Sequence, residues 1–175
     1  KHDDIDDYLF EARGLIGYEF NILSSTTLTP YAGLGYRYLN DNLQDYFGGY
    51  ERESNYLYLP VGIEIITGLK NNWCWGAAIE YDYFLSGKQK SHLSDFDPGL
   101  NDIDNKQDKG YGLRGVVKFV RKGQRVNFFM EPFIRYWKIE ESDRESAFYY
   151  GNYIGWWIEP KNKSTEIGCN IGISF

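Results

Sequence analysis

The last eleven residues, 165–175 (TEIGCNIGISF), alternate without interruption. Thr165, Ile167, Cys169, Ile171, Ile173 and Phe175 share one face, and Glu166, Gly168, Asn170, Gly172 and Ser174 share the other. A period of two sends successive side chains to opposite sides of a sheet. One apolar face over about 9–11 residues, the length a tilted strand needs to cross a bilayer, predicts a membrane-spanning β-strand.

Six further segments of this kind precede it. No segment keeps an i, i+3, i+4, i+7 apolar stripe over three turns, so the chain reads as all-β. From about Tyr8 to Ile22, Tyr8, Phe10, Ile16, Tyr18, Phe20 and Ile22 oppose Glu11, Arg13, Glu19 and Asn21. From Leu28 to Leu39, Leu28, Leu34, Tyr36 and Tyr38 oppose Thr29, Tyr31 and Arg37. From Asn55 to Leu69, Leu57, Leu59, Val61, Ile63 and Ile65 oppose Tyr56, Tyr58 and Glu64. Between Trp73 and Leu85, Trp73, Trp75, Ile79, Tyr81 and Tyr83 face out while Cys74, Glu80, Asp82 and Phe84 face in. Gly110 to Val120 sets Tyr111, Leu113, Val117 and Phe119 against Arg114 and Lys118. The sixth, Gln124 to about Ile139, sets Val126, Phe128, Met130, Ile134 and Tyr136 against Phe129, Glu131, Phe133, Arg135 and Trp137.

Connections alternate in length: 24–26, 70–72 and 121–123 are tight, whereas 40–54, 86–109 and 140–164 are long and polar. Outer-membrane barrels have this asymmetry, with short periplasmic turns and long external loops. Residues 1–175 are therefore expected to form one antiparallel up-and-down transmembrane β-barrel domain, with its first and last strands both descending to the periplasm. Seven strands is an odd count, and single-chain bacterial barrels have an even one. Either 153–159 (YIGWWIE) supplies an eighth strand, or the complete barrel has eight to ten strands and lacks one or more N-terminal strands here. The polar opening KHDDIDD, read as an external loop, favours the second.

Mean hydropathy is −0.53 and only 42% of residues are hydrophobic, values ordinary for a soluble domain. A barrel strand spends half its side chains on a polar interior, so hydropathy does not test for one. Aromatic content is more informative. At 18%, with 16 Tyr and 5 Trp, the chain is rich in the rings that favour membrane interfaces. A net charge of −6 and a pI near 5.0 argue against a phosphate-binding basic face, so no nucleic-acid partner is expected. Strand parity sends Cys74 inward and Cys169 outward, which predicts free thiols. No signal peptide opens the chain, so a mature or trimmed polypeptide is expected.

The stretches FEARGLIGYEF, TPYAGLGYRYLND, GYERESNYLYLPVGIE, EYDYFLSGKQKSHLSD and EPFIRYW, followed by EPKNKSTEIG, span nearly the whole chain. Together they resemble a family of uncharacterised, porin-like small outer-membrane β-barrels of Gram-negative bacteria. The terminal Phe175 is similar to the aromatic that closes such barrels and that the assembly machinery reads. The resemblance implies an outer-membrane location, contact with outer-membrane lipid and lipopolysaccharide, and further strands upstream of Lys1. It carries no established activity to particular residues.

Inward charges by parity are Glu11, Glu19, Glu64, Glu80, Asp82, Glu131 and Glu166 against Arg13, Arg37, Arg114, Lys118 and Arg135. In so narrow a barrel, side chains fill the interior and buried charges must pair, so a closed, ion-paired core with a structural or surface-interaction role is expected. The alternative is a narrow channel whose lining charges select small solutes. Tyr36, Tyr38, Trp73, Trp75, Tyr81, Tyr83, Tyr136 and Phe175 are the expected interface aromatics. Loop 140–163 holds Phe148, Tyr149, Tyr150, Tyr153, Trp156 and Trp157, which would fold over the barrel mouth or meet a protein partner.

The loop 86–109 carries Asp95, Asp97, Asp102, Asp104 and Asp108 but departs from EF-hand spacing, and a solvated acidic loop is expected. No cofactor and no metal cluster is expected. His92 and Ser94, with Asp104 or Asp102 as the acid, form an H-x-S pattern similar to outer-membrane lipid A deacylases, in which a His activates a Ser. The pattern departs from that family at Asp95, where Asn would follow. A soluble lipocalin-like barrel is the remaining alternative, with every apolar face turned inward.

Overall fold

A computed structural model of the chain describes residues 6–42 and 49–174. In chain order the elements are β1 (Asp6–Gly17), β2 (Phe20–Leu23), β3 (Thr26–Asn42), β4 (Glu51–Gly68), β5 (Trp73–Ser91), α1 (Leu93–Phe96), β6 (Ile103–Gln107), β7 (Gly110–Arg121), β8 (Asn127–Ile139), β9 (Arg144–Tyr149), β10 (Asn152–Ile158) and β11 (Asn162–Ser174). Seven long strands make one curled antiparallel sheet in the order β1, β3, β4, β5, β7, β8, β11. The short β2 and β6 lie beside β3 and β5, and β9 and β10 form a separate hairpin.

The outermost strands of the sheet, β1 and β11, are not paired with each other among the described residues. They run in the same direction, so a strand between them would be antiparallel to both. Side chains nevertheless cross the interior. Arg37 on β3 meets Glu166 on β11, and Arg135 on β8 meets Glu11 on β1. The sheet is thus curled into an open half-barrel.

One end of this half-barrel has tight turns. Between β4 and β5, Asn71 and Asn72 adopt φ of 60° and 61°, and the Trp73 amide donates to the Lys70 carbonyl at 3.4 Å. Two left-handed residues at the centre of a turn spanning 70–73 match strand twist, and Asn tolerates that conformation. The other end is built up. β3, β4 and β5 run further than their alternation suggests, extending to Asn42, Glu51 and Ser91, and β6 adds to the rim.

The apolar faces point away from the interior. Ile16, Ile79, Ile167 and Ile171 are between 68 and 82% exposed, whereas Arg37, Glu80, Asp82 and Arg135 are buried. That is the reverse of a lipocalin-like arrangement, which would turn the apolar faces inward. Residues 153–159, the less favoured candidate for an eighth strand, do not join the main sheet: β10 pairs only with β9. The first predicted strand is broken at 18–19 into β1 and β2, leaving Glu19 exposed at the break. Phe175 lies outside the described residues.

A bulge decides the parity of the rim. Leu57 pairs with Ser86 and Tyr58 with Phe84, so β5 carries one extra residue. Asp82 and Phe84 are buried before it, and Gln89 and Ser91 after it, which swings Lys88 and Lys90 outward.

Inward rings lie over cross-strand glycines. Gly35 faces Tyr58 and Gly168 faces Phe133; a Cβ on Gly35 would fall 2.1 Å from Tyr58 Cζ. Gly35→Ala is therefore expected to cost about 1–3 kcal/mol by overpacking. Gly115→Ala, whose Cβ would approach nothing closer than Ile134 Cγ2 at 3.7 Å, should be near neutral. Urea unfolding of the two variants checks the contrast.

Candidate functional site

The interior charges gather around Arg135. Its Nη2 and Nε lie 2.8 and 3.1 Å from Asp82 Oδ2, and Nη1 lies 2.5 Å from Glu11 Oε2. The guanidinium also stands over the rings of Trp137 and Tyr58, with centroids at 4.7 and 5.1 Å. Glu11 accepts a 2.8 Å bond from the Tyr58 hydroxyl and sits 3.4 Å from Arg37 and 3.7 Å from Arg13. Arg13 is paired with Glu80, and Arg37 with Glu166. Nearer the tight turns, Lys118 bridges Glu64 at 3.1 Å and Glu131 at 3.0 Å.

Of the twelve predicted interior charges, ten thus join ion pairs. Glu19 stands apart at the β1–β2 break. Arg114 has no ion pair among the described residues and instead lies 4.7 Å from the Phe133 ring centroid. Two cavities of about 370 and 360 Å³ flank this region, and both are lined by Arg13 and Arg114. Toward the loop end, Tyr56, Tyr58, Phe84, Trp137 and Ile139 form a buried cluster across the lumen.

The predicted interface aromatics lie on the outer face. Tyr36, Trp73, Trp75, Tyr81 and Tyr83 are exposed, while Tyr38 and Tyr136 are half-buried. Tyr81, Tyr111 and Tyr136 form a row across β5, β7 and β8, with successive centroids at 6.1 and 6.2 Å.

At the loop end a second core holds Leu93, Ile103 and Ala147, flanked by Tyr50, Leu100 and Trp157. It anchors the β9–β10 hairpin, whose Tyr150 amide donates to the Gly99 carbonyl at 2.8 Å. Arg52 on β4 also reaches Glu159. Burial pushes the Glu159 carboxyl above its usual value despite the opposing pull of Arg52 and Gln89. The outer aromatics of this hairpin remain on the surface, with Tyr150, Tyr153 and Trp156 all exposed.

His92 and Ser94 come together on Asp102. The Ser94 hydroxyl and amide donate to Asp102 Oδ1 at 2.7 and 3.3 Å. His92 Nδ1 lies 3.3 Å from Asp102 Oδ2. Asp104 instead pairs with Lys88 at 3.3 Å. A nucleophilic triad places the imidazole between hydroxyl and acid, whereas here the acid lies between the other two. Burial would raise the Asp102 carboxyl, but the Ser94 bonds and the charges of His92 and Lys90 hold it below its ordinary value.

Sequence reading missed the neighbours on the other side of His92. Glu51, Glu53 and His92 offer ligand atoms that all lie within 4.8 Å of one another. The i, i+2 spacing of the glutamates put them on one strand face, but nothing in the sequence joined them to a residue across the β4–β5 hairpin. Cys74 is buried and Cys169 exposed, both as free thiols. No protein-family profile matches the chain, and no curated protein matches it.

Arg135→Met is expected to cost about 3–5 kcal/mol, because it leaves Asp82 and part of Glu11 as uncompensated buried charge. Adding Asp82→Leu should recover much of that loss. Equilibrium unfolding of the single and double variants measures both.

Proposed function

We propose that the chain forms an antiparallel transmembrane β-barrel in the outer membrane of a Gram-negative bacterium, with a closed, ion-paired interior and a structural or surface-interaction role. One observation carries this proposal: the sheet turns its aliphatic side chains to the outside and buries paired charges within. In water, a continuous apolar exterior of this kind would be an aggregation surface. In lipid it is the favourable arrangement, and the interior ion pairs satisfy the polar groups that lipid cannot.

The outer aromatics support the same proposal. Trp73 and Trp75 lie near the tight-turn end of β5 and Tyr81 and Tyr83 lie further along it, with Ile79 between the two pairs. From Trp73 to Tyr83 the strand covers about 33 Å at ~3.3 Å per residue. At a tilt of about 40° this gives roughly 25 Å of height, the usual apolar band of such barrels. Among the described residues β1 and β11 leave two unpaired edges, which suits a barrel closed by a further strand running opposite to both, eight strands in all.

The aromatic cluster across the lumen favours a closed barrel over a solute channel. Having Ser94 bonded to Asp102 rather than to His92 favours a non-enzymatic role over lipid A deacylation. The exposed rings of the β9–β10 hairpin suit contact with lipopolysaccharide or with a protein partner at the surface.

The protein should partition into the detergent phase of a cloud-point separation; recovery as a monomer from the aqueous phase would overturn the membrane assignment. Planar bilayers containing it should show no single-channel conductance. Steps that change when Arg114 or Glu80 is neutralised would establish a channel instead. Lipid A acylation should be unaffected by the purified protein, and equally so by its Ser94→Ala variant.

A further inference from the structure

The rim above the apolar belt carries an arrangement that the barrel itself does not need. Backbone pairing sets it: Arg52 pairs with Ser91 across the β4–β5 hairpin, and the His92 amide donates to the Glu51 carbonyl at 2.9 Å. That register brings His92 opposite Glu51 and diagonal to Glu53 on the same face, which yields the donor group of one imidazole and two carboxylates.

The ring is oriented from behind. Asp102 Oδ2 lies 3.3 Å from Nδ1, so an acceptor faces that side of the ring. Asp102 is itself fixed by the Ser94 hydroxyl and amide. The other ring nitrogen, Nε2, faces Glu53. Nε2 is shielded from solvent and has no hydrogen-bond partner among the described residues, although Glu53 Oε1 lies only 3.4 Å away. Glu51 is oriented as well, its Oε1 accepting a 2.6 Å bond from Asn40 Nδ2. A carboxylate holding one ring nitrogen while the other faces further ligands is the supporting arrangement of metal-bound histidines.

We propose that Glu51, Glu53 and His92 bind a divalent transition-metal ion of the zinc class at the loop end of the barrel, with Asp102 as the positioning residue. Imidazole with carboxylates suits zinc better than the hard cations calcium and magnesium, which take oxygen ligands. Three protein ligands leave a coordination position for water or an exogenous group. The site does not require the membrane assignment, since it is built from backbone register and side chains at the rim.

Zinc chloride titrated by calorimetry into the detergent-solubilised full chain tests this, in a His2→Ala background that removes the one other histidine. One zinc per chain is expected, bound at least tenfold more tightly than calcium, with the His92 ring resonances shifted in NMR spectra. Asp102→Asn should weaken binding by about 10–100-fold. His92→Ala and Glu53→Gln should each weaken it at least as much, with unfolding curves showing that the variants remain folded. The proposal is overturned if zinc does not bind, if calcium binds equally well, or if folded His92→Ala and Glu53→Gln variants bind as the parent does. His92 would then serve only to bridge Glu53 and Asp102.

Discussion

The guanidinium of Arg135 is the point on which the interior depends. Buried in the half-barrel, it is tolerable only with full compensation. It receives this from Asp82 on β5 and Glu11 on β1, and from the rings of Tyr58 and Trp137. These contacts tie four of the seven long strands to one charge. Glu11 extends the network to Arg13 and Arg37, and Arg37 carries it to Glu166 on β11. The curl of the sheet is thus held from within by charge pairing, while the outer face below the rim is mainly apolar.

Glycine makes that interior geometrically feasible. Where an inward ring lies across the neighbouring strand, as Tyr58 does over Gly35 and Phe133 over Gly168, any side chain beneath it would collide. The rings can then spread across the lumen and meet Arg135 and Arg114 with their faces. Charge, ring and glycine work as one unit, and a change to any of them is felt by the other two.

The loop end follows different rules. The bulge in β5 reverses which residues face inward, and the hairpin extension, β6, α1 and the β9–β10 hairpin then pack around Leu93, Ile103 and Ala147. Polar groups concentrate on the outward side of this rim. The interior ion pairs hold the sheet together, while His92, Glu51 and Glu53 gather at the rim.

Alternation by itself determined the all-β class, the central parts of the seven long strands and, outside the rim beyond the β5 bulge, the face on which their side chains lie. Backbone pleating enforces a period of two, so the apolar set and the charged set separate in the sequence as they do in space. It also singled out the charges that meet inside, from Glu11 to Glu166, though not their pairing, because partners such as Arg135 and Glu11 are joined by curl and register rather than by spacing. Only the tertiary structure placed residues 153–159 in a detached hairpin, exposed Glu19 at a break, and set Ser94 on Asp102 instead of on His92. The bulge at β5 and the meeting of His92 with Glu51 and Glu53 belong to it too. A one-residue slip in register, which no local pattern encodes, is enough to exchange the two faces of a strand and to decide which distant side chains become neighbours.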